Sequence, residues 1–123
     1  MPTEPQPVTL AEVANRAVDV ADPDNQDPAI AAVQERFEDA DEPVSAVLDG
    51  LEERLADVVE SVDAELDDPG VAMTVAVIQY LARRRDELDA DAETILRLAA
   101  RAEWRGDPPA YVSAWLEDRG VAA

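Results

Sequence analysis

The chain has 123 residues, nearly half of them apolar, the size of one ordinary domain and enough to bury a core. It contains no Cys and no His, which excludes disulfides, thiolate nucleophiles, Ser-His-Asp and Cys-His constellations, and zinc sites that need imidazole or thiolate. Acidic residues outnumber basic ones by 29 to 10, every basic residue is an arginine, and the net charge of −19 repels nucleic acid and anionic lipid.

Residues 1–8 hold three prolines and no periodic pattern, so they read as a flexible N-terminal arm. They lack the positive charge and apolar run of a signal peptide. Residues 9–123 then read as a single α-helical domain. The tetrad Thr9-Leu10-Ala11-Glu12 is a capping box that opens a helix to about Ala21. Four acid-proline pairs follow, Asp27-Pro28, Glu42-Pro43, Asp68-Pro69 and Asp107-Pro108. Proline suits the first helical position and a preceding acid caps orphan N–H groups, so each pair predicts a helix start.

After Pro43 the apolar positions Val44, Val47, Leu48, Leu51, Leu55, Val58, Val62 and Leu66 recur at spacings of three and four, predicting one long helix that ends near Asp67. Between them Glu52, Glu53, Asp57, Glu60, Asp63 and Glu65 form an acidic, solvated face. The next helix, from Pro69 to about residue 88, is apolar nearly all round between Val71 and Ala82. Those twelve residues span ~18 Å against ~30 Å of hydrocarbon, so the pattern is that of a buried central helix and not of a membrane span. Arg83, Arg84 and Arg85 mark its exit into water, with Glu87 and Asp89 at i+4 from Arg83 and Arg85. A helix from about Asp91 to Arg105, closed by Gly106, presents Ile95, Leu96, Leu98, Ala99 and Ala102 as apolar positions. The last helix runs from Asp107-Pro108 to a stop before Gly120, with Tyr111, Val112, Trp115 and Leu116 as its stripe. Strand patterns are lacking. The expectation is an all-α fold, a single compact bundle of about five or six helices around a central apolar helix at about 69–88.

Three features bear on function. The run Asp22-Pro23-Asp24-Asn25-Gln26-Asp27 resembles the front of a calcium loop but has Asp27 where an EF-hand needs Gly and Val33 where it needs Glu, so it reads as an Asp/Asn-rich connector with a helix cap. Charge is unevenly divided: residues 1–68 carry −17 and residues 69–123 carry −2. Arg97, Arg101 and Arg105 form an i+4 ridge after Glu93, and these three with the neighbouring Trp104 are the candidate partner-binding set. Pairing with nearby acids, or with the acidic half of another copy, is the expected use of the arginines. Of the aromatics, Tyr80, Tyr111 and Trp115 read as core and Trp104 as the one exposed.

Residues 8–37, Val-Thr-Leu-Ala-Glu-Val through Gln-Glu-Arg-Phe, resemble the opening of phage head–tail connector (adaptor) proteins: a Thr-Leu-x-Glu-Val helix start, an Asp-rich connector and a second amphipathic helix. The resemblance covers about a quarter of the chain, implies a place in a virion, and carries no residue roles. No pair among so many carboxylates stands out as catalytic. The composition therefore reads as a non-enzymatic, acidic interaction or assembly protein. Complete use of Arg over Lys and scattered acids point to halophilic adaptation. It would act on itself or another protein, in the cytoplasm or, on the connector alternative, in a virion. No cofactor, metal, membrane or small-molecule substrate is indicated. A nucleic-acid-associated module built on the arginine ridge is the remaining alternative.

Overall fold

The computed structural model describes residues 8–61, 69–84, 87–88 and 90–121. Among them lie seven α-helical segments: α1 Leu10–Ala21, α2 Pro28–Glu35, α3 Val44–Val47, α4 Leu51–Ser61, α5 Pro69–Arg83, α6 Ala92–Trp104 and α7 Ala110–Asp118. A 3₁₀ turn, Leu48–Gly50, joins α3 to α4. No strand occurs among the described residues; β-like pairing is confined to an isolated antiparallel bridge between Thr9 and Pro43.

The fold is the all-α bundle that the periodicity predicts, with α5 at its centre packed against α1, α2, α4, α6 and α7. No residue from Pro69 to Ala82 is exposed, and Met73, Val77, Ile78 and Leu81 are fully enclosed. Thr74, also fully buried, donates its hydroxyl to the Gly70 carbonyl at 2.7 Å, so its polar group is satisfied within the helix. The helix stops at Arg83, short of the expected 88, and Arg83 and Arg84 are exposed. No helix among the described residues is long and apolar enough to cross a membrane.

Local chemistry sets most helix ends. Thr9 Oγ1 accepts from Glu12 N at 3.2 Å, while the first N–H groups of α1 reach Glu42 O (from Leu10, 3.1 Å) and Ala40 O (from Ala11, 2.9 Å). The helix start is therefore docked on the segment before α3, and Val8 O accepts from Val44 N in the same seam. The arm at 1–7 lies outside the described residues. Asp27 caps α2 through Ala29 N with Pro28 first in the helix, and Asp91 caps α6 through Thr94 N. Pro69 opens α5, and Asp68 lies outside the described residues. At the other end, Gly120 (φ 73°) turns the chain so that Gly120 N reaches Glu117 O and Val121 N reaches Leu116 O, both at 2.9 Å. Val121 and Leu116 are both buried, completing the apolar contact that accompanies this helix stop.

Two acid-proline pairs behave differently from expectation. Pro43 is itself the N-cap of α3, and Glu42 caps nothing; its carboxylate pairs with Arg54, whose guanidinium also lies 5.6 Å from the Phe37 ring centroid. That bond to Arg54 holds the Glu42 carboxyl below its ordinary value. α7 begins at Ala110, after Pro109, because a residue preceding proline is pushed out of the helical region and Pro108 precedes Pro109. The long helix after Pro43 is likewise broken: Val47 leaves helical dihedrals (φ −118°, ψ 5°) and Gly50 ends a tight 3₁₀ turn before α4 starts. Glycine disfavours helix by about 1 kcal/mol relative to alanine, and the β-branched Val47 adds little resistance. Val44, Leu51, Leu55 and Val58 are still buried; Val62 and Leu66 lie outside the described residues.

Candidate functional site

The expected ridge forms in part. At ~100° of arc per helical residue, Arg97, Arg101 and Trp104 fall within about 60° on α6, with buried Ile95, Leu96, Ala99 and Ala100 centred across the helix. Arg101 is exposed and Arg97 half-exposed. Arg105 does not continue the ridge. It is the C-cap of α6 in the left-handed region (φ 54°, ψ 35°), followed by Gly106 at φ 83°, and the reversal carries it to a different surface.

That surface is a groove of about 490 Å³ between α4, the last two turns of α5 with Arg84 just after it, and the end of α6. Gln79, Tyr80, Arg83 and Arg84 come from α5 and the residue after it, Ala102, Glu103 and Arg105 from α6 and its cap, and Glu52 from α4. Three guanidinium groups thus face two carboxylates. Burial and the nearby Glu52 carboxylate push the Glu103 carboxyl above its ordinary value, with Arg83 opposing them. Arg83 donates to the Gln79 carbonyl at 3.4 Å, a usual partner for a cation at a helix C-terminus.

Internal pairing of the C-terminal arginines, expected from acids at i±3 and i±4, does not occur among the described residues. Arg83, Arg84, Arg97, Arg101 and Arg105 form no ion pair among the described residues. For Arg83 the cause is that α5 ends there, so Glu87 is no longer one turn ahead. For Arg97 and exposed Glu93, the few tenths of a kcal/mol such a pair offers do not offset ordering two long side chains. Arg85 and Asp89 lie outside the described residues.

The aromatics divide differently from expectation too. Trp104 is half-buried against the main core and not exposed, because the Arg105–Gly106 reversal folds the helix end back. Tyr111 is 36% exposed, on the outer side of α7, so only Val112 and Leu116 of that stripe are fully buried. Trp115 is half-buried, with the Arg119 guanidinium 3.5 Å from its ring centroid. Ala102, expected in the core, is exposed and lines the groove, while Ala100 is buried.

Arg83 and Arg84, expected at a helix exit, and Tyr80, expected in the core, line the groove. The available signal was the i+4 relation of Tyr80 and Arg84, which puts both on one side of α5. The Asp-rich connector behaves as a turn: Asp22 accepts from Gln26 N at 3.0 Å and Asp27 N at 2.9 Å, and Asn25 takes the left-handed conformation at φ 52°. No group of three or more acidic side chains among the described residues could hold a metal ion. No family model matches the chain, and no match was found among curated proteins or solved structures.

Proposed function

We propose that the chain is a non-enzymatic interaction or assembly protein, adapted to high salt, whose C-terminal arginines meet carboxylates of another copy or of a protein partner. The observation that carries this reading is the set of five arginines that form no ion pair among the described residues, in a chain whose other half carries −17. A guanidinium gains most from bidentate contact with a carboxylate, and such contact survives at about 1 M salt, where the Debye length is only ~3 Å. Long-range repulsion between chains of −19 is screened under the same conditions, so salt should favour assembly.

The connector alternative is the special case in which assembly closes into a ring, and the likeness at residues 8–37 supports it. A nucleic-acid role is disfavoured by the whole-molecule charge. The test is mass by light scattering at about 10 mM and about 2 M KCl, for the wild type and for a variant with Arg83, Arg84, Arg97, Arg101 and Arg105 all changed to Gln. The expected result is an oligomer, favoured by salt, that the variant loses. A wild type that stays monomeric and captures no protein partner, or an oligomer that the variant keeps, overturns the reading.

A further inference from the structure

The groove and the acidic row of α4 are neighbours, because Glu52 lines the groove and Glu53, the first carboxylate of that row, follows it about 100° round the helix. We propose that the groove at Tyr80, Arg84 and Arg105 receives α4 of a second copy, so that two chains pair about a two-fold axis with each α4 in the other's groove. This rests on the assembly reading above and goes beyond it by naming the segment, its receptor and the symmetry.

Charge complementarity selects α4. Glu53, Asp57 and Glu60 are exposed at i, i+4 and i+7, a row of carboxylates ~10 Å long on one side of the helix. The receiving groove holds three guanidinium groups, Arg83, Arg84 and Arg105, none of which forms an ion pair among the described residues although Glu52 and Glu103 line the same groove. The fold keeps these opposite charges apart, which leaves the arginines open to carboxylates arriving from outside. Apolar contact is at hand as well. Val59, 40% exposed, is one of two exposed large apolar residues among those described, and it lies seven residues after Glu52 on the same edge of α4. An incoming helix therefore meets guanidinium groups, the Tyr80 ring and an aliphatic side chain together, the mixture that favours a specific contact.

Adjacency decides the symmetry. Two complementary surfaces far apart on a molecule generate rings or filaments, whereas two that form one continuous patch make it self-complementary, and a two-fold axis then satisfies both at once. The sequence alone, with arginines concentrated in a near-neutral C-terminal half and an acidic N-terminal half, favours an unlike, head-to-tail contact; the position of Glu52 at the groove argues for the two-fold arrangement instead.

The experiment uses two charge-reversed variants of the full chain, Arg84→Glu/Arg105→Glu and Glu53→Arg/Asp57→Arg/Glu60→Arg, in about 2 M KCl, each checked for helix content by circular dichroism. The wild type is expected to have the mass of a dimer and each variant alone that of a monomer. An equimolar mixture should recover the dimer, because the reversed groove then faces the reversed helix and the intact groove the intact helix. The milder Arg84→Gln/Arg105→Gln should raise the dimer Kd about tenfold or more without charge reversal. Loss of assembly only on Arg97→Glu/Arg101→Glu overturns this inference and leaves the assembly reading standing, as does a mass that grows beyond two copies. A wild type monomeric at every concentration overturns the inference and self-association together.

Discussion

Arg16 offers a sharp test of the packing. Its Nε donates to the Leu88 carbonyl and its Nη2 to the Ala90 carbonyl, both at 2.8 Å, tying the connection between α5 and α6 to α1 across more than seventy residues of sequence. Hydrogen bonds from a charged donor contribute about 1.5–3 kcal/mol each, and the lower end applies because the side chain is 29% exposed and water can replace part of what is lost. The 3.5 Å ion pair with Asp19, which is 70% exposed, adds nothing that need be counted. Arg16→Met keeps the aliphatic packing and removes both bonds, so it should destabilise the fold by about 2–3 kcal/mol. For a chain of this length that lowers Tm by roughly 8–12 °C. Thermal unfolding followed by circular dichroism in multimolar KCl measures it, with Arg16→Lys as the control. A single ammonium cannot span both carbonyls and should recover half the loss at most. A Met variant within about 0.5 kcal/mol of wild type, or full recovery by Lys, would refute the argument that this fork holds the connection in place.

Val77 is fully buried at the centre of α5, so Val77→Asp places an unpaired carboxylate where burial costs several kcal/mol, and cooperative unfolding should vanish from the melting curve; a variant that melts like wild type would sink the central-helix assignment. Stability should also rise between about 10 mM and about 2 M KCl as self-repulsion among −19 charges is screened, and a Tm that is flat or falls over that range would favour an acidic face directed at a partner over salt adaptation.

What could be read in the sequence was local. α5 announced itself because it is apolar on every side, and Thr9, Asp27, Asp91, Gly106 and Gly120 punctuate helices through bonds made within a few residues. The break at Val47–Gly50 was not readable from periodicity, since Val44, Leu51, Leu55 and Val58 all remain on the buried side and the apolar spacing runs through it unchanged. The double proline after Asp107 was a readable signal, because the constraint on Pro108 is a backbone property, yet the acid-proline pattern led to a helix start two residues too early. The Arg16 fork and the Arg54 contacts with Glu42 and Phe37 join residues that only tertiary packing brings together. The groove belongs to the same class, since three helices must meet before Arg84, Arg105 and Glu52 share a surface.

How the arginines are used is informative in a chain where carboxylates are in large surplus. Arg16 binds backbone carbonyls, Arg54 bridges Glu42 and the Phe37 ring, and Arg119 covers the Trp115 ring, so each of these three links separate parts of the bundle or covers an aromatic at its edge. Arg84, Arg97, Arg101 and Arg105 make no such link among the described residues, and scarcity of acids cannot be the reason with 29 in the chain. Geometry is the reason. α5 ends before Glu87 comes round, Arg105 turns out of its helix at positive φ, and Glu52 and Glu103 sit in the groove without closing on the guanidinium groups. Solvation satisfies an exposed guanidinium well enough that leaving it unpaired costs little in the free chain. The same groups gain charge-assisted hydrogen bonds once a second surface supplies carboxylates and excludes water. The balance between those two states, and not the stability of the isolated bundle, is what the charge-reversed and rescued pairs measure.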